Sequence, residues 1–448
     1  MLSIAFRRSW CYRTYQGGVC ALRLVITAEH HFVSSPDGRC WGPDTMTYQF
    51  WQRYLSIFDH VSVVARVRQV DQAPPSYTRV DGQGVSVQGM PEYVGPWEYL
   101  RVRRAFQQAS AAATSPEDAV LLRAGCSPLA AAIETTLARR HQPFGVEVIT
   151  DPYRVFAPGA IRHPLRPVFR RMFTHQLQRQ CVRSAAATYV TQSALQERYP
   201  AGPTTFSTSY SDVDLPPEAF VRHHRSGALV GDVPTIISIG SMAQPYKGFD
   251  VLIDAIAHCA QRSLAINLIL VGDGKHRQKL EQRVCRLGLQ RRVTFTGQLA
   301  GGPSVREQLD QSDLFVMASR TEGLPRAMIE AQARGLPCIG TRVGGIPELL
   351  DGPDLVPVDD FESLAMSIMQ MLCDSGRRAR ASADNLALAR TYGEAELTER
   401  RTTFLRELRH RTVAAAPHTL SGDAERSRAP MLPLSPPDRA NRHGRTRR

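Results

Sequence analysis

Residues 321–350, TEGLPRAMIEAQARGLPCIGTRVGGIPELL, constrain this chain more than any other stretch. The segment just before, DLFVMAS, is short, apolar and β-compatible, so Glu322 falls in the loop leaving the carboxyl end of a strand. Pro325 suits a first helical turn, where its missing N–H costs nothing. Gly335 suits the position just past a helix end, where a left-handed backbone is common. The order is strand, acidic glycine loop, helix, strand. LPCIGTRVGGIPELL repeats it, a second strand running into Gly344 and Gly345, whose bare backbone lets N–H groups approach a ligand. In open α/β sheets ligands bind beyond the strand ends, and a helix N-terminus offers N–H groups to an anion. Taken singly, Glu322 and Glu330 would serve equally well as a loop cap and a helix-surface charge.

The same alternation runs through the chain. Residues 22–28 predict a first buried strand, 29–42 a loop and 47–58 an amphipathic helix. Further strands are expected at 60–67, 85–90, 119–125 and 145–150, with a helix over 127–140. Gly38, Arg123 and Asp151 fall just past strand ends, where this architecture keeps its sites. Each also reads as a turn former, a surface charge or a helix cap. Residues 162–199 are helical and basic, ending from 187 on in a strand that enters a helix, and 201–220 have loop composition that marks a domain boundary. Asp212 and Asp214 in that loop read as turn chemistry, with metal binding as the lesser alternative. Strands restart at 235–240, 266–274, 292–297 and 313–319. Lys247 precedes a helix whose buried face is Phe249, Leu252, Ile253, Ile256 and Ala260, and an ammonium beside free helix N–H groups suits phosphate.

The expected fold is α/β, with two doubly wound, Rossmann-like domains. The boundaries are an extension over 1–20, a first domain over 21–215, a linker over 216–234 and a second domain over 235–392. A helix over 393–412 returns to the first domain, and 413–448, rich in Pro, Ser and Arg, is expected to be disordered.

A chain of 448 residues with 43% hydrophobic and 22% charged residues suits a soluble globular protein of two or three domains. The net charge of +13 calls for an acidic partner, whether nucleic acid, anionic lipid or a phosphorylated substrate. Only three residues are lysines, Lys247, Lys275 and Lys279, so any lysine stands out. The nine cysteines are scattered, without C-x-x-C pairs or zinc-like His spacing, which indicates neither a disulfide framework nor a metal site and fits a reducing, cytoplasmic setting. Residues 1–20 do not read as a signal peptide, because Arg7 and Arg8 interrupt the apolar start and no sustained apolar run follows, and no apolar run reaches the roughly 18 residues of a membrane span.

EGLPRAMIEAQARGLP followed by GGIPE resembles the retaining glycosyltransferases of the large family four, group 1, whose signature places two Glu eight positions apart within EG-x-P and EA-x-A-x-G-x-P. KGFDVLIDA and LILVGDG also match that family's pattern, so the resemblance is strong over 235–400 and weaker over 21–220. It implies a type B glycosyltransferase fold, two domains facing a central cleft. The second domain would bind a nucleotide-diphosphate sugar, a donor substrate needing no further cofactor, and the first a sugar or lipid-linked acceptor. Glu330 would take the ribose hydroxyls, which fits a carboxylate's acceptor oxygens. Glu322 and the backbone of Gly323, Leu324, Pro325 and Arg326 would hold sugar and diphosphate, Gly297 to Leu299 would border the base, and Gly240 and Gly38 would lie in ligand-facing loops. Lys247 would meet charge growing on the leaving diphosphate.

Configuration would be retained by front-face attack without a metal. Two departures stand out. Ser241 follows Gly240 where members often carry Arg, so a phosphate charge is missing or comes from Arg320 or Arg342. Asp151 stands where many carry His, and would contact a sugar hydroxyl. The alternatives are a nucleotide-sugar epimerase and a non-catalytic binding relative. The expected setting is polysaccharide or glycolipid assembly in the cytoplasm at an anionic inner membrane surface, with no nucleic acid partner.

Overall fold

Two sheets dominate the computed structural model, which describes residues 21–43, 46–158, 160–161, 163–213 and 215–415. The first comprises β1 (Arg23–Ser34), β2 (Cys40–Gly42), β3 (His60–Gln69), β4 (Thr78–Arg79), β5 (Val85–Met90), β6 (Ala119–Ala124), β7 (Gly145–Val148), β8 (Ala186–Tyr189) and β9 (Phe206–Ser209). Its parallel strands run β5-β3-β1-β6-β7-β8-β9, with β2 and β4 antiparallel at the far end of β1. The second comprises β10 (Thr235–Ile239), β11 (Asn267–Val271), β12 (Val293–Gly297), β13 (Leu314–Met317), β14 (Cys338–Thr341) and β15 (Leu355–Val356), all parallel in the order β12-β11-β10-β13-β14-β15. Helices cover both faces, which is why β6, β7, β8, β13 and β14 are buried along their whole length.

Strand order reverses between β1 and β6 in the first sheet and between β10 and β13 in the second. Ligands of open α/β sheets lie at such switch points. The helix Phe249–Gln261 holds the second in place by burying Phe249, Leu252, Ile253 and Ile256, at roughly 1.5–3 kcal/mol for each large side chain.

Three expectations are corrected. Residues 29–34, read as loop, continue β1: Phe32 and Val33 are buried, and the strand resumes after a register shift between Thr27 and His31. The helix expected over 47–58 is regular only at Tyr48–Gln52, because Tyr54 and Phe58 turn inward to join Trp51 in the core. The closing helix, Glu394–Ala415, runs past 412, so Val413 to Ala415 are helical and no part of a disordered tail. The extension 1–20, Asp214 and the tail from 416 lie outside the described residues.

That helix packs on β6, β8 and β9 of the first domain. Leu408 lies against Gly145, Arg409 donates to the Ile57 carbonyl and Arg411 to that of Thr204. The linker is docked on the second domain, where Arg225 donates to the carbonyls of Leu309, Ser312 and Arg334.

Candidate active site

A cleft of about 1130 Å³ opens between the domains at the two switch points. Glu322, Lys247, Glu330, Gly323, Leu324, Pro325, Arg326, Gly240, Leu299 and Asp151 all line it. Gly297 does not: it ends β12 with φ 78°, and Gln298 to Gly301 form the wall instead. Gly38 turns an exposed loop beyond β1, at φ 78° and away from the cleft.

Lys247 Nζ donates to Glu322 Oε1 at 2.7 Å, and Ser319 Oγ donates to the same oxygen at 2.6 Å. Burial favours the neutral amine, but the Glu322 carboxylate and Tyr246 outweigh it and hold the Lys247 pKa above the ordinary lysine value. Gly240 makes room for this lysine, since a Cβ there would stand 3.0 Å from its stem. Arg320 braces the same turn. Its backbone N–H bonds the Tyr246 carbonyl, and its guanidinium bonds the Pro245 carbonyl, Asp250 and Asp359. Arg320 is therefore no substitute phosphate ligand. Arg342 is none either, being exposed at the end of β14 outside the cleft.

Arg326, exposed at the first position of the helix Arg326–Ala333, adds a cation to the cleft lining besides the paired Lys247 and Arg123. No side chain caps that helix, with Pro325 at its N-cap, so its opening N–H groups point at whatever the cleft holds. Glu330 sits one turn along, on the face that Arg326 shares. Gly335 follows the helix with φ 65°, as its sequence position implies.

Gly344 and Gly345 do not approach a ligand. A Cβ on Gly344 would strike the Glu322 carbonyl, and the Gly345 N–H donates to the Gly323 carbonyl at 2.7 Å. Their smallness seats the Glu322 loop. Gly323 in turn meets the first domain, where a Cβ would lie 2.7 Å from the Ile149 carbonyl.

Asp151 is not available to a sugar hydroxyl. Its Oδ1 accepts from the Tyr153 N–H at 3.0 Å and the Tyr199 hydroxyl at 2.5 Å, while Arg198 holds Oδ2. It is the N-cap of the helix Pro152–Val155. Arg123 and Asp212 are tied together as well. Arg123 bonds Asp212 at 2.6 Å and Glu147 at 3.0 Å, and Arg53 bonds Asp212 at 2.7 Å. Burial alone would raise the Asp212 pKa, yet Arg123 and Arg53 hold it well below the usual range. The turn reading of Asp212 gives way to a buried ion-pair network in the first-domain wall of the cleft, which Arg123 and Asp212 both line. Among the described residues no cluster of His, Cys, Asp and Glu has metal-ligand geometry.

Three residues escaped sequence reasoning, Glu29, His30 and Glu348. The β1 bulge aims Glu29 at the helix Pro128–Arg140, where it accepts from Ser127 Oγ and the Leu129 N–H, and leaves His30 lining the cleft. The buried Nδ1 of His30 has no protein partner, and burial with Arg123, Arg66 and His31 lowers its pKa to about 4. The sequence signal was a titratable pair just past a strand read as ending too early. Glu348, within GGIPE, accepts the N–H groups of Gln192, Ser193 and Ala194 and the Ser193 hydroxyl, joining second domain to first.

Residues 233–374 match the family described as glycosyl transferases, group 1. CapJ of Staphylococcus aureus is 25% identical over 344 residues, 76% of this chain and 84% of that protein. The lipopolysaccharide core biosynthesis glycosyltransferase LpsE of Rhizobium meliloti is 35% identical over 153 residues, 33% of this chain but only 42% of its own length. The crystal structure of Anabaena HepE in complex with UDP and glucose superposes with a TM-score of 0.59 at 16% identity, over 86% of this chain and 99% of that one. The likeness in fold spans both domains, while the family match lies in the second.

Proposed function

We propose that this chain, a two-domain protein of the type B glycosyltransferase fold whose second domain matches group 1 glycosyl transferases, moves a sugar from a nucleotide-diphosphate sugar to a hydroxyl acceptor with retention of configuration. One observation carries the reading: Arg326 at an uncapped helix N-terminus, Glu330 one turn on and the Lys247–Glu322 pair all face one cleft at a topological switch point. The diphosphate sits against the Arg326 guanidinium and the helix N–H groups, where the helix dipole favours negative charge. Glu330 accepts from ribose hydroxyls. As the glycosidic bond to the diphosphate breaks, charge grows on the leaving oxygen, and the ammonium of Lys247, kept protonated by Glu322, is aimed to stabilise it. The acceptor enters from the side of His30 and Ile149, attacking on the face that the leaving group vacates, and its proton goes to the departing phosphate oxygen. The Arg326 and Lys247 cations stand in for a divalent metal at the diphosphate. HepE was solved with UDP, which makes UDP and its sugars the first ligands to try.

A thermal-shift panel of nucleoside diphosphates and their sugars tests the reading, since a ligand that binds only the folded form raises its melting temperature. A matching sugar nucleotide should raise the melting point and lose its sugar, to an acceptor or slowly to water. Silence across the whole panel would overturn it.

A further inference from the structure

Two helices of the first domain begin with exposed apolar side chains. Trp97 is 73% exposed, Val94 68% and Leu100 56%, all at the start of the helix Gly95–Ala112. Val168 is 60% exposed, Met172 46% and Leu165 42%, at the start of the helix Arg166–Arg183. β5, β6, β7 and β8 follow one another in the same direction across the sheet, and the right-handed crossover that is the rule for parallel strands places the two helices on one side of it. The helix Pro128–Arg140 lies between them: it packs on Gly95–Ala112, and its Glu134 accepts from Arg179 and Arg183. Helices that follow parallel strands begin at the strands' carboxyl ends, so both apolar clusters stand at the cleft end of this layer. The short helix Pro152–Val155 connects one of them to the cleft, since Val155 lines the cleft while Tyr153 stacks under Arg170.

Charge settles what such a face meets. Trp97, Leu100, Arg101 and Arg104 recur at helical spacing, as do Val168, Arg171, Met172 and His175. Arg166–Arg183 contains no acidic residue, and the one acid of Gly95–Ala112, Glu98, is turned back to accept the Val94 N–H at 2.7 Å. Arg101, Arg103, Arg104 and Arg171 make no ion pair among the described residues. Exposed apolar side chains ringed by unpaired guanidinium groups complement the headgroup boundary of an anionic bilayer, where the apolar groups enter and the cations stay with phosphate. No helix among the described residues is long and apolar enough to cross a membrane, so contact of this kind is peripheral.

We propose that this rim, centred on Trp97 and Met172, docks on an anionic membrane and turns the acceptor side of the cleft toward it. The docking is independent of donor chemistry; that it delivers a lipid-linked acceptor rests on the transferase reading.

Co-sedimentation of the full chain with vesicles tests it, using phosphatidylcholine alone and phosphatidylcholine mixed with phosphatidylglycerol. Binding should require phosphatidylglycerol and weaken with salt. Replacing Arg101, Arg104 and Arg171 together by Gln should weaken it by about fivefold per charge. Trp97→Ser with Met172→Ser should weaken it at unchanged net charge, with melting temperature and nucleotide response as in the parent, since all five side chains are exposed. Two results would overturn the proposal: no binding to the anionic vesicles, or variants that bind them as the parent does, which would assign attachment to another surface such as residues 416–448. An acidic polymer that competes with the vesicles, together with an apolar double variant of undiminished affinity, would overturn it in favour of an acidic macromolecule. Loss of the nucleotide response with vesicle binding intact would strike the transferase reading and leave the docking face standing.

Discussion

Lys247 and Glu322 form an ion pair on the second-domain side of the cleft, Nζ to Oε1 at 2.7 Å, with side chains 15% and 9% exposed. At that burial the Glu322 carboxylate helps to keep the Lys247 ammonium charged. Lys247→Ala should lower turnover by about 10²–10³-fold, the cost of removing one preorganised donor from a developing oxyanion, with a smaller loss in donor affinity. Glu322→Gln should reduce turnover as well. In a double-mutant cycle on stability the two changes should couple by about 0.5–3 kcal/mol. Strict additivity would mean that the pair does not hold Lys247 in place.

Glu330→Ala should weaken nucleoside diphosphate binding by roughly 1.5–3 kcal/mol, the range for hydrogen bonds to a charged acceptor. Calorimetry reads this directly. A folded variant with parental affinity would remove Glu330 from the ribose.

Glu348 ties the second domain to the first, its two oxygens meeting three N–H groups and a hydroxyl at 2.6 to 3.0 Å. Glu348→Ala leaves those N–H groups with water alone, and should cost about 1–3 kcal/mol. Hydrogen exchange at Gln192, Ser193 and Ala194 should speed up while the amides of β6 and β7 keep their protection. Uniform acceleration would show general destabilisation with no local release of the domains.

Much of the second domain was legible because its signals are local. Gly335 must be left-handed, Pro325 must sit at a helix start, and the apolar runs are too short for anything but buried strands. What the sequence concealed depends on partners far along the chain. Asp151 looks like a ligand until Arg198 and Tyr199 fold back onto it, and Asp212 looks like a turn residue until Arg53 and Arg123 reach it. Arg320 fails as a phosphate ligand for the same reason, since Asp250 and Asp359 already hold it. The β1 bulge is a different case. Alternation breaks at Glu29 and His30, so a strand that continues to Ser34 reads as a strand that has ended.

His30 follows from that bulge. It lines the first-domain side of the cleft, and Arg66 and Arg123 join burial in holding its pKa near 4 against an ordinary 6.5. The imidazole is therefore neutral from pH 5.5 upward, able to accept a hydrogen bond from an acceptor hydroxyl. Its titration also marks stability. Above pH 6.5 neither folded nor unfolded chain protonates it, and it has no effect. Between pH 6.5 and 4 the unfolded chain takes the proton first, so the native state is penalised increasingly, by up to about 3 kcal/mol. His30→Gln removes that penalty while keeping a polar group in the cleft. Urea denaturation at pH 7 and pH 4.5 should show the variant losing less stability on acidification than the parent, with donor binding at pH 7 unchanged. Equal losses in the two proteins would mean that His30 titrates normally and is open to solvent, and its place as an acceptor contact would fall with that result.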